Sequence, residues 1–111
     1  MRVAWTEEAL RRLAEIEDYV ARDRPIAARR LVARLIRRGD SLSRTPRIGR
    51  RVPELLDSGF REIIAGAYRI VYRLDESQVE ILTAFESRLP MERALSTIRA
   101  DPNSGSGNGS T

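Results

Sequence analysis

Two apolar stripes at helical spacing, split by a proline break and followed by runs that alternate every second residue, constrain this chain most. Ala9, Leu13, Ile16 and Val20 recur three or four residues apart, with Leu10 alongside, which predicts a helix over about residues 7–22. Thr6 reads as its N-cap, and Glu7 and Glu8 place carboxylates at the positive end of the helix dipole. Asp23-Arg24-Pro25 ends the helix, because Pro25 lacks an N–H and restricts Arg24. A second helix is predicted from about Pro25 to Ser43, proline being tolerated in a first turn. Its stripe is Ala28, Leu31, Leu35 and Leu42, joined by Val32 and Ile36. Helices joined by so tight a turn form a hairpin, and each stripe needs an apolar surface to cover.

That surface comes from the strand-like runs. Phe60 to Ile64 precedes a turn at Ala65-Gly66. Tyr68, Ile70, Tyr72 and Leu74 then alternate with Arg69, Val71 and Arg73. After a hairpin turn at Asp75-Glu76-Ser77, Val79, Ile81, Thr83 and Phe85 alternate with Glu80, Leu82, Ala84 and Glu86. Residues 1–5 form a short β-rich start, with Val3 and Trp5 on one side; a lone strand is unstable, so it must join the same sheet. Residues 50–58 read as a connection, with Pro53 and Gly59 as punctuation. Pro90 opens a short last helix through Met91, Ala94, Leu95 and Ile98 to about Ala100. The order β-α-α-β-β-β, then a short α, predicts an α+β fold: an N-terminal strand, a helical hairpin, and a three-stranded antiparallel run. With 111 residues the chain has room for one domain, taken as residues 1–100. Asp101 to Thr111, with three of the seven glycines and no apolar residue but Pro102, is expected to be a flexible tail.

Composition removes whole classes of chemistry. There is no Cys and no His, so thiolate metal sites, a Cys nucleophile and the usual general base near neutral pH are absent. All twenty basic residues are Arg, which removes Schiff-base chemistry and a phosphate-loop lysine. No spacing of acids resembles a cation loop, and Gly39, Gly49, Gly59 and Gly66 read as turn or cap residues, so neither a metal nor a cofactor is expected. No apolar run is long enough to span a membrane, and the start lacks a secretory signal's apolar core, so a cytoplasmic protein is expected.

The net charge of +4 is unevenly placed. Residues 22–51 hold eleven Arg against two acids, a balance of +9. Arg30, Arg34, Arg37 and Arg38 share one face of the second helix. That face is either simply solvated or a surface for an acidic partner, nucleic acid or acidic peptide. Aromatic residues make up 5% of the chain, which argues against binding single strands by stacking. Trp5 is expected in the core, as are Tyr68 and Tyr72, with Arg69 and Arg73 on the opposite, solvent- or partner-facing side. Arg61 and Arg88 could join them in a sheet-face cluster. Arg69→Ala is on that reading expected to keep the fold.

Several fragments together resemble the ParE branch of the RelE/ParE toxins of bacterial toxin–antitoxin modules. They are Val3-Ala4-Trp5-Thr6-Glu7-Glu8-Ala9, Ile16-Glu17-Asp18-Tyr19-Val20, Pro25-Ile26-Ala27-Ala28, Pro46-Arg47-Ile48-Gly49-Arg50, Val52-Pro53-Glu54-Leu55, Phe60-Arg61-Glu62-Ile63 and Ala67-Tyr68-Arg69-Ile70-Val71-Tyr72-Arg73. The resemblance covers roughly residues 1–90 and implies the same strand and helix order. It also implies a cytoplasmic toxin held inactive by a ParD-like, ribbon-helix-helix antitoxin whose C-terminal segment wraps it. The ParE branch is described as poisoning DNA gyrase, the RelE branch as cutting mRNA on the ribosome. The nuclease branch places an Arg where Arg69 stands, with further basic residues and a late His or Tyr. Here no Tyr follows Tyr72, and Glu86 stands where related toxins often show His. Acid/base work would therefore fall to Glu62 or Glu86 with shifted pKa values, or to Tyr68 or Tyr72. The favoured expectation is a gyrase-binding toxin without catalysis. The alternatives are a ribosome-dependent endonuclease, or an inactive toxin fold that acts only in a repressor complex.

Overall fold

The structure, a computed structural model, describes residues 1–94. The elements are β1 (Arg2–Trp5), α1 (Glu7–Ala21), α2 (Pro25–Asp40), β2 (Arg50–Arg51), β3 (Arg61–Ala65), β4 (Tyr68–Leu74) and β5 (Gln78–Glu86). Short 3-10 segments cover Ser41–Ser43 and Pro53–Ser58. Residues 91–94 are helical. The rest of the expected last helix and the expected tail lie outside the described residues.

The five strands form one sheet in the order β1-β5-β4-β3-β2. The run β3-β4-β5 is antiparallel as expected, while β1 joins β5 in parallel, Arg2 opposite Gln78 and Trp5 opposite Ile81, which makes the sheet mixed. Thr6 fixes that junction. Its hydroxyl accepts from Ala9 N at 3.1 Å, capping α1, and donates to Ile81 O at 2.9 Å, tying the helix start to β5.

The second helix stops at Asp40, and its expected last turn tightens into the 3-10 segment. Gly39 is not a turn residue. It lies inside α2, where a Cβ would stand 2.5 Å from Trp5 Cζ2 and 2.8 Å from Ile81 Cδ1, so the helix meets the sheet through it. Beyond it, Trp5 Nε1 donates to Asp40 Oδ1 at 3.0 Å. The two-residue β2 falls within what the sequence presents as a connection; two consecutive exposed arginines carry no alternation to reveal a strand.

The sheet is covered on both faces. On the helix side, Ala9 and Leu42 pack with Ile63, Ile70, Tyr72, Val79, Ile81 and Ala84. On the other side Val52, Val71, Leu82, Phe85, Met91 and Ala94 form a second cluster, with Leu55, Phe60 and Leu89 against it. This corrects the expectation of a face open to solvent or a partner: the 3-10 segment and the chain after β5 close much of it. A bulge makes the second cluster possible. Tyr72 pairs with Ile81 but Val71 with Thr83, so Leu82 is an extra residue in β5. Past the bulge the alternation inverts. Ala84 therefore joins the helix-side core and Phe85 the other, whereas strict alternation would place Phe85 with Val79 and Ile81.

Candidate functional site

Of the four arginines in the expected sheet-face cluster, Arg69 and Arg73 do project away from the helices, and neither is free. Arg69 is only 9% exposed. Its Nε donates to Glu62 Oε1 at 2.9 Å and its Nη2 donates to the same oxygen. Glu54 Oε1 lies 3.6 Å from that Nη2, and the guanidinium sits 5.5 Å from the centroid of the Phe85 ring. Glu62, itself buried, also accepts from Arg50 Nε at 2.7 Å. Arg73 Nε donates to Glu80 Oε1 at 2.6 Å.

The other two lie elsewhere. Arg61 pairs with Tyr72 across β3 and β4 and so shares the helix-side face. Its Nη1 donates to Gly49 O at 2.8 Å and Arg47 O at 3.4 Å. Arg88, beyond β5, is exposed and 3.4 Å from Glu86 Oε1. The four therefore do not converge. Strand period separates Arg61 from Arg69, and carboxylates from β3, β5 and the 3-10 segment occupy Arg69 and Arg73. Glu54 and Glu62 are the residues sequence reasoning misses in this role. The sequence offers Glu62 as an acid/base group, but its place between two arginines depends on the β2–β3 register, which leaves no local trace.

Tyr72 anchors the loop between α2 and β2. Its buried hydroxyl donates to Pro46 O at 2.8 Å and accepts from Gly49 N at 2.9 Å. Burial pushes its pKa above the ordinary tyrosine value, against the opposing pull of the Gly49 N–H and of the Arg61 and Arg38 charges. Tyr68 is also pushed up, first by burial and then by the neighbouring Glu86. Neither is poised to act as a base near neutral pH.

On α2, Arg30, Arg34 and Arg37 are exposed, and among the described residues none has a carboxylate partner. Arg38 is half-buried, with its Nη1 3.4 Å from Ser41 Oγ. Arg34, Arg37 and Arg38 border a groove of about 490 Å³ between α2 and the β3–β4 turn, with Leu31 and Leu35 along it. Leu31 and Arg34 also border a second hollow of about 650 Å³ toward the hairpin turn, beside Ile26 and Arg30. The four helix arginines thus edge two neighbouring hollows that share Leu31 and Arg34. Among the described residues no group of three or more acids is placed to hold a metal ion, and no helix is long and apolar enough to cross a membrane.

The family model described as the ParE toxin of the type II toxin–antitoxin system parDE matches residues 3–88. The chain belongs to the ParE toxin family. Among its relatives, Y4kP of Sinorhizobium fredii is 41% identical over 95 residues, 85% of this chain and 96% of that protein. The toxin RelE2 of Caulobacter vibrioides is 36% identical over 81 residues, 72% and 88% of the two chains. A chain of the chromosomal ParDE toxin–antitoxin system of P. aeruginosa shares the fold at a TM-score of 0.69 and 20% identity, covering 78% of this ParE-family toxin and 95% of its own length. A chain of the toxin–antitoxin complex RelBE2 of Mycobacterium tuberculosis does so at 0.58 and 26%, covering 77% and 88%. This ParE-family chain is thus a type II toxin with a relative bearing a RelE name, and the choice between branches rests on its own residues.

Proposed function

We propose that this ParE-family toxin inhibits DNA gyrase by binding it in the cytoplasm, without catalysis, and is neutralised by a ParD-like antitoxin. The observation that carries the reading is the condition of Arg69. Phosphodiester cleavage needs a cation open to the phosphate in the transition state, with an acid and a base beside it. Arg69 stands where the nuclease branch places such a cation, yet it is buried and bonded to Glu62 with Glu54 close by. An incoming phosphate would meet carboxylates there, a like-charge approach at short range. No His or Lys exists to supply the proton transfers, and both nearby tyrosines are held protonated.

The α2 groove suits the antitoxin. An acidic segment with apolar side chains at helical spacing would set those side chains on Leu31 and Leu35 and its carboxylates against Arg30, Arg34, Arg37 and Arg38. The similarity to chains of two toxin–antitoxin systems supports a partner of this kind. The test is a supercoiling assay with purified gyrase beside an mRNA cleavage assay on translating ribosomes. Inhibited supercoiling, relieved by antitoxin, with intact mRNA is the expected result. Codon-positioned mRNA cuts with unaffected gyrase would overturn it in favour of the nuclease branch. Silence in both assays, with tight antitoxin binding, would leave a repressor role alone.

A further inference from the structure

The two faces of the sheet treat their arginines differently. Away from the helices, Arg50 and Arg69 share Glu62, and Arg73 meets Glu80. On the helix side, where β2 meets β3, three arginines come together, none of them paired with an acid among the described residues. Arg51 and Arg61 stand directly opposite each other in the β2–β3 register. Like charges so placed destabilise a strand pair unless something neutralises them. Arg61 Nη1 also bonds the backbone oxygens of Arg47 and Gly49, which brings Arg47 beside it. Arg38, in the last turn of α2, borders the groove beside the β3–β4 turn and belongs to that surface instead. Among the described residues, no carboxylate pairs with Arg47, Arg51 or Arg61.

The arrangement is held in place. Tyr72 grips Pro46 and Gly49, and a Cβ on Gly49 would lie 2.6 Å from the Tyr72 hydroxyl and 2.7 Å from Glu62 O. The loop carrying Arg47 is thus packed onto the sheet at Gly49, while Arg47 and Arg51 remain exposed.

We propose that Arg47, Arg51 and Arg61 form a binding site for the phosphate backbone of duplex DNA. Guanidinium forks match phosphate oxygens, and a backbone site needs an array of cations rather than a pocket. A single strand would need exposed aromatic platforms; the aromatic rings at this end, Trp5 and Tyr72, are bonded to Asp40 and Pro46. An acidic protein segment would need apolar anchors among the cations. The α2 groove has them in Leu31 and Leu35, whereas the bonds at this cluster run to backbone oxygens. The site is distinct from the face that holds Arg69 and independent of the gyrase reading.

The test is titration of the full chain with a fluorescent DNA duplex of about 20 base pairs, at about 50 to 200 mM salt. Binding should weaken as salt rises and should not depend on sequence. An Arg47→Gln/Arg51→Gln variant should bind more weakly, its logarithmic salt slope shallower by about 0.9 for each phosphate it no longer neutralises. Its tryptophan fluorescence should match the parent's, which shows the fold intact. Arg30→Gln/Arg34→Gln, in the groove, should bind the duplex as the parent does. The proposal is overturned if no binding occurs at the lowest salt, or if the Arg47/Arg51 variant binds unchanged. Tighter binding of a single strand than of the duplex would also overturn it. So would binding of polyglutamate, abolished in the Arg47/Arg51 variant, that the duplex does not displace.

Discussion

Arg69 Nε lies 2.9 Å from Glu62 Oε1, diagonally across β3 and β4, with both side chains buried on the face away from the helices. The pair is structural before it is anything else. Removing Arg69 leaves the buried Glu62 with only the exposed Arg50 as partner, so Arg69→Ala is expected to cost about 3 kcal/mol in urea unfolding, the low end for breaking a buried pair. The expectation that the substitution keeps the fold assumes an open face, whereas the side chain is buried against Glu62. Arg50→Ala tests the contrast. Its side chain is 67% exposed, and its loss should cost less than about 1 kcal/mol. Equal effects for the two would show that Glu62 is not desolvated.

Tyr72 makes stability depend on alkaline pH. Its folded pKa is raised above the ordinary 10.0, so the contribution is full below pH 10.0 and is lost as pH rises through the higher folded value. Tyr68, also raised, adds in the same direction. Tyr72→Phe should flatten part of that fall. It should also lower stability at neutral pH by about 1–3 kcal/mol, because Gly49 N and Pro46 O lose their partner. Unfolding curves at neutral and alkaline pH, with tyrosinate absorbance, measure both effects.

Gly39→Ala would raise helix propensity by about 1 kcal/mol in an open helix. Here it is expected to destabilise, since its Cβ would fall 2.5 Å from Trp5 Cζ2 and overpacking costs about 1–3 kcal/mol. Trp5 is the only tryptophan, so a shifted emission maximum would report the displacement directly.

Antitoxin binding is expected to weaken with salt, and Arg34→Ala/Arg37→Ala to reduce both the affinity and its salt dependence. Two exposed cations at about 0.2–1 kcal/mol each predict a loss of about two- to thirtyfold. Calorimetry with an antitoxin C-terminal peptide at two salt concentrations checks this. A salt-independent affinity would place the antitoxin elsewhere.

Much of the fold is legible in the sequence because its signals are local. Thr6 with Glu7 and Glu8 marks the start of α1, Pro25 that of α2, and Tyr68 to Leu74 delimits β4 by alternation alone. What is not legible depends on distant partners. The bulge at Leu82 sends Phe85 to the second core, and only the register with β4 shows it. The surroundings of Arg69 draw on residues 54, 62 and 85, none of which is adjacent in sequence. The charge of residues 22–51 is plain from composition, but its division between a groove and a sheet-end cluster requires the loop that Tyr72 clamps.

The parallel pairing of Arg2 with Gln78 has a consequence for biogenesis. β1 is completed by β5, far along the chain, so the sheet cannot close while the ribosome still shields residues 78–86. Contacts of such long sequence separation are slow to form. The nascent toxin can therefore emerge with its helical hairpin formed and its first strand waiting, giving an antitoxin made nearby an interval in which to meet it before the sheet is whole.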